Sequence, residues 1–102
     1  MIQVAHVHAY RGDMTRAAYV GRPTIYGNPF RLKRPSFPAE RRQVIDNFRA
    51  WWYDDAQRAL RAQAAHELAN VDVLLCWCSP QPCHAAVIAE WLNSLRQVPH
   101  VE

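Results

Sequence analysis

No stretch of this sequence approaches the roughly 18 consecutive apolar residues of a membrane-spanning helix, and no apolar signal segment opens it. A membrane-spanning protein is therefore not expected, and a cytoplasmic one is. Cysteine is scarce and odd in number, three in all, which argues against a disulfide framework and for a reducing compartment. Lysine is almost missing, since Lys33 is the only one among twelve basic residues. The rest are arginines, whose planar fork suits bidentate contacts to phosphate or base edges. There is no Gly-x-Gly-x-x-Gly fingerprint for a dinucleotide, and the His-x-Glu plus Pro-Cys-x-x-Cys signature of the zinc deaminases is also absent. Repeats, low-complexity segments and linkers are lacking too, so residues 1–102 are read as one domain.

Half of the residues are hydrophobic and four are Trp, enough for a small core without disulfides. The net charge of +3 is unevenly spread. Residues 1–42 carry eight basic side chains against two acidic, a net of +6, and the remaining sixty carry a net of −3. This asymmetry points to an anion-facing N-terminal half, with a nucleotide or nucleic acid as the expected partner.

Ile2–His8 is β-rich and is expected as a first strand, Arg11-Gly12-Asp13 as a turn, and Ala17–Val20 as a short second strand ending at Gly21. Between Gly21 and Pro38, the prolines at 23, 29 and 35 and Gly27 leave little room for regular structure. Tyr26, Phe30 and Phe37 argue that this long loop is ordered. Pro38 starts a helix whose Val44, Ile45, Phe48, Trp51 and Trp52 form one apolar face, and Trp51-Trp52-Tyr53 cannot all face the core. Residues 56–69 continue it, or form a second helix after a break near Asp54-Asp55. Val71–Cys76 reads as a buried strand, and Cys83 or His84 opens a last helix with a core stripe of Val87, Ile88, Trp91, Leu92 and Leu95. The tail from Val98 is expected to fray. The fold class is α/β: a small sheet flanked by helices, with a strand-turn-helix carrying the cysteines. In such sheets ligands gather at the carboxyl ends of the strands.

Every cysteine lies in the run Cys76-Trp77-Cys78-Ser79-Pro80-Gln81-Pro82-Cys83-His84. Thiolate and imidazole are strong ligands for zinc, so Cys76, Cys78, Cys83 and His84 are candidate metal ligands and zinc the expected ion. The usual paired Cys-x2-Cys spacing is absent. Equally physical is a reactive thiol: Cys83 at a helix N-terminus beside His84 would have a lowered pKa and be nucleophilic. Three half-buried cysteines packing as small hydrophobes is a third alternative. His6 and His8 form a further pair on one strand face, able to complete a metal site or to act as acid and base.

In Gly21-Arg22-Pro23-Thr24-Ile25-Tyr26-Gly27-Asn28-Pro29-Phe30, two glycines permit close backbone approach, and two prolines stiffen the residues before them. Arg22 suits a phosphate or carboxylate, Asn28 a base or amide edge, and Tyr26 or Phe30 a stacking face. The substrate-binding candidates are thus Gly21, Arg22, Tyr26, Gly27, Asn28 and Phe30. Core plugs around an Asn-Pro turn would be the structural alternative.

Together the segments YVGRPTIYGNPF and VLLCWCSPQPCHAAVIAEWL resemble a family of small phage and bacterial proteins catalogued as domain of unknown function four-three-two-six. Gly21, Arg22, Gly27, Asn28, Pro29 and Phe30 match one hallmark, and Cys76, Cys78, Pro82, Cys83 and His84 the other. Relatives commonly show Gly-Asp after the histidine, where this chain has Ala85-Ala86, so any catalytic role of that acid is missing here. The helix start is also similar to a second uncharacterised family with a Cys-His-Arg arrangement. The phage context of such proteins implies nucleotide or DNA-base modification.

The expected function is an enzyme acting on a nucleoside, nucleotide or nucleic-acid base, with Cys83, His84 and Asn28 as catalytic candidates. Group transfer, methyl transfer included, and attack at a glycosidic bond both fit. The alternatives are a zinc-stapled nucleic-acid-binding module without catalysis, and a redox-responsive thiol protein.

Overall fold

The computed structural model describes residues 1–31, 37–78 and 83–97. The expected turn at Ser79–Pro82, the loop residues Lys33, Arg34 and Pro35 and the tail from Val98 lie outside these residues. Among the described residues there are three strands, β1 (Gln3–His6), β2 (Ala17–Tyr19) and β3 (Val73–Cys76), and three α-helices, α1 (Pro38–Tyr53), α2 (Arg58–Glu67) and α3 (His84–Arg96), in the order β1-β2-α1-α2-β3-α3. The sheet order is β1-β3-β2 with both pairings parallel, and the register sets His6 beside Cys76 and Tyr19 beside Leu75. This is the small α/β sheet with flanking helices expected from the sequence.

The unbroken apolar run of β3 follows from its central place. Leu74, Leu75 and Cys76 are buried, as a strand paired on both edges and covered on both faces requires. β1 is shorter than its composition suggests. The amides of Ala9 and Tyr10 both donate to the carbonyl of His6, so the chain turns there and leaves His8 outside the strand. β2 stops at Tyr19, but the Val20 amide still donates to Leu75 at 3.1 Å and carries the chain along the sheet as far as Gly21.

Pro38 sits in the first turn of α1, where its missing N–H costs nothing. The break expected near Asp54-Asp55 is real. The Asp54 side chain accepts from the Ala56 amide at 2.8 Å, and the Arg61 guanidinium donates to the carbonyls of Trp52 and Asp54, so the end of α1 is capped before α2 begins. Of the three adjacent aromatics, Trp52 is fully buried, Trp51 half-buried and Tyr53 exposed. Trp52 stacks on Phe48 and meets Trp91 of α3 edge-on, which fixes α1 against α3. Side chains of this size each contribute about 1.5–3 kcal/mol when removed from water. Asn93 of α3 accepts the Ile2 amide at 2.8 Å, anchoring the start of β1. Among the described residues, no helix is long and apolar enough to cross a membrane.

Candidate functional site

Because the strands are parallel, their carboxyl ends at His6, Tyr19 and Cys76 share one edge of the sheet, and α3 starts there as well. Cys76 ends β3 and Cys83 caps α3, its Sγ accepting from the Ala85 amide at 3.3 Å. Cys76 and Cys83 are buried at 1 % and 4 % exposure, whereas Cys78 is only half-buried. None of the three is in a disulfide. The Cys83 thiol is within hydrogen-bonding reach of both Cys76 and Cys78. These contacts and its burial push the Cys83 pKa up and keep its proton on sulfur. By contrast, the hydrogen bond from Cys83 and the nearby Arg41 guanidinium pull Cys78 down to about 5. The two shifts run in opposite directions, so Cys78 gives up its proton more readily than the helix-capping Cys83.

His84 is held from both sides. Its Nε2 lies 2.8 Å from the carbonyl oxygen of Val20, and a carbonyl can only accept, so Nε2 carries the proton. Burial lowers its pKa and keeps the ring neutral. Nδ1 is then the lone-pair nitrogen, 3.6 Å from the Cys83 sulfur. Phe48 packs edge-on against the imidazole with ring centres 5.2 Å apart.

The Gly21–Phe30 loop folds as successive turns. Thr24 donates to the Gly21 carbonyl through both its amide and its hydroxyl, at 2.9 and 2.6 Å, and the Gly27 amide donates to Thr24 at 3.0 Å. The Arg22-Pro23 peptide is cis. At Gly27 a Cβ would stand 2.7 Å from Arg22 Cγ and 3.0 Å from its backbone N, so only glycine lets the loop close on Arg22. Asn28 is 8 % exposed, and its Oδ1 accepts from the Phe30 amide at 2.8 Å.

A cavity of about 380 Å³ opens between this loop, α1 and the cysteine turn. Gly21, Arg22, Asn28 and Phe30 line it from the loop, and Cys76, Cys78, Cys83 and His84 from the other side. The two sequence motifs therefore face one space. Two of the expected substrate contacts lie elsewhere: Tyr26 buries its ring in the core and donates its hydroxyl to Glu67, and Gly27 sits against Arg22. His6 and His8 pack on Trp77, with ring centres at 5.7 and 4.5 Å, and do not line the cavity. The walls also include Tyr19, Arg31, Arg41, Val44, Ile45 and Trp77. Arg31 and Arg41 were visible only as members of the basic half, and Trp77 only as the residue between two cysteines.

The donors that a zinc ion would take are Cys76, Cys78, Cys83 and Nδ1 of His84. Among the described residues, no group of three or more His, Cys, Asp or Glu side chains is arranged to hold a metal ion.

A family whose description reads Domain of unknown function (DUF4326) matches residues 2–94, a span that takes in both motifs. The chain belongs to this family. Neither the curated proteins nor the solved structures contain a match to it. In this DUF4326 chain, three arginines, Asn28 and Phe30 share a cavity with a half-exposed sulfur whose charge is stabilised by a neighbouring thiol and a guanidinium. Such a site can hold an anionic group, present an amide to a polar edge and offer a nucleophile to an electrophilic carbon.

Proposed function

We propose that the protein is a small enzyme acting on a phosphate-bearing nucleoside or nucleic-acid base, with Cys78 as the reacting sulfur. The observation that carries the reading is the meeting of Arg22, Arg31 and Arg41 with Phe30, Asn28 and the cysteine cluster around one cavity. Its volume of about 380 Å³ lies in the range that encloses a small ligand. The arginines offer forked donors for phosphate, Phe30 offers an aromatic face, and the Asn28 amide is fixed by its own turn. Of the three sulfurs, Cys78 is the most exposed, and Cys83 and His84 stand behind it as positioning groups. In a group transfer the Cys78 sulfur bonds to the transferred carbon while the leaving group departs with the bonding pair. Water or another acceptor then bonds to the carbon as the S–C bond breaks and its electron pair returns to the Cys78 sulfur, and the proton the acceptor releases neutralises the leaving group.

The test is incubation of the purified protein with nucleosides, nucleotides and short DNA, with products and protein adducts read by mass. A product or adduct that disappears in Cys78→Ser supports the reading. Absence of any product, adduct or bound nucleotide at low salt overturns it.

Zinc coordination by Cys76, Cys78, Cys83 and His84 is a second reading, favoured by one observation. His84 donates Nε2–H to a backbone carbonyl, the outer hydrogen bond that metal-bound histidines commonly make, and turns Nδ1 towards sulfur. A native mass carrying one zinc, lost in Cys83→Ser, supports it; an apo mass from a metal-replete preparation refutes it.

A further inference from the structure

Trp77 departs from what is expected of an aromatic in a small domain. It is 58 % exposed, yet it is not loose. Its indole N–H donates to the Tyr19 hydroxyl at 2.8 Å, and that hydroxyl donates in turn to the Arg22 carbonyl at 2.7 Å. His8 lies against the ring at 4.5 Å and His6 meets it edge-on at 5.7 Å. Trp77 also lines the cavity, immediately between Cys76 and Cys78. A free indole would lose rotamer entropy on capturing a ligand; this one is already fixed by three residues, Tyr19 of β2, His6 of β1 and His8 just beyond it.

We propose that Trp77 is the stacking platform for the substrate's heterocycle, held at the cavity mouth by Tyr19, His6 and His8. The inference rests on the nucleotide reading above and assigns the base-binding face within it. An aromatic face of this kind binds any base, because every base has a π-surface, and favours the larger purines over pyrimidines. Selectivity among bases must then come from polar groups such as Asn28. The hydrogen bond from Trp77 through Tyr19 to Arg22 links the stacking face to the loop that carries the anion-binding arginine, so base and phosphate are gripped by one connected frame.

The test is calorimetric titration of the wild type, Trp77→Phe, Trp77→Leu and Tyr19→Phe with deoxynucleoside 5′-monophosphates, and with ribose 5-phosphate as a base-free probe. Circular dichroism checks that each variant is folded. Trp77→Leu should weaken nucleotide binding about tenfold or more, as the loss of a base-aromatic stack does. Trp77→Phe should retain most of the affinity, and Tyr19→Phe should fall between the two. Ribose 5-phosphate should bind the wild type and Trp77→Leu alike. Equal nucleotide affinity in wild type and Trp77→Leu, or an equal loss for ribose 5-phosphate, overturns the platform while leaving the nucleotide reading intact. Failure of the wild type to bind any nucleotide removes the reading and the platform together.

Discussion

His84, the first residue of α3, donates Nε2–H to the carbonyl of Val20 just past β2, across 2.8 Å and 64 positions of sequence. This bond joins the cysteine turn to the arginine loop. Removing the ring by His84→Ala leaves a carbonyl without its partner beside a new void, at a cost of about 1–3 kcal/mol for the unmet group alone. Urea unfolding should show a loss of that order. Nucleotide affinity, measured where the variant is still folded, should fall as well, because Val20 leads directly into Gly21 and Arg22. Unchanged binding would mean that the two segments are positioned independently.

Cys78 should be the first cysteine alkylated. Its pKa is lowered to about 5, so the thiolate is present above that pH and is lost as the pH falls through it. The rate of iodoacetamide labelling of metal-free protein should therefore rise through pH 5 and flatten by neutrality. Cys83, pushed in the opposite direction by its contacts with Cys76 and Cys78 and by burial, should remain unlabelled until the protein unfolds. Arg41→Ala should move the Cys78 profile to higher pH. Peptide mapping at several pH values reads all three outcomes.

Gly27→Ala tests the loop closure. The added methyl meets the backbone of Arg22 at 3.0 Å, which cannot rotate away as a side-chain tip can. Overpacking of this kind typically costs about 1–3 kcal/mol. The loss should appear chiefly as weaker nucleotide binding, with the folded spectrum retained. An affinity equal to that of the wild type would show that Arg22 does not need the closed loop.

Arg22, Arg31 and Arg41 share one cavity, so binding of a phosphorylated ligand should weaken as salt rises, whereas binding of the corresponding uncharged nucleoside should change little. Paired titrations at low and high ionic strength decide this. Parallel salt curves for the two ligands would remove the arginines from phosphate recognition.

Much of the fold is legible in the sequence because local patterns and burial agree. The run Val73–Cys76 is apolar since β3 is central, and Val87, Ile88 and Leu92 of the expected stripe are buried by α3 with Trp91 partly so, whereas Leu95, expected among them, is exposed. Strand ends are less legible. The carbonyl of His6 takes two turn amides and ends β1 early, which no composition reveals. For the site, the two motifs announce themselves by unusual residue types, but Arg41 and Tyr19 do not. Each becomes a wall of the cavity only through the placement of α1 and β2 at the same edge. Tyr26 shows the converse: lying inside a motif suggests a ligand face, and its ring instead fills the core and meets Glu67.

The order β1-β3-β2 also governs when the site can come into being. Among the described residues β1 and β2 share no ladder, and each pairs with β3, which follows both by more than fifty positions. Neither early strand has a partner until residues 73–76 are available, so sheet closure waits on contacts of long sequence separation, the slow kind to form. The same event that inserts β3 delivers Cys76 and Cys78 to the arginine loop. On a ribosome, the pocket would therefore appear only once β3 has emerged and paired with β2, the pairing that brings the cysteines and the arginine loop to one edge.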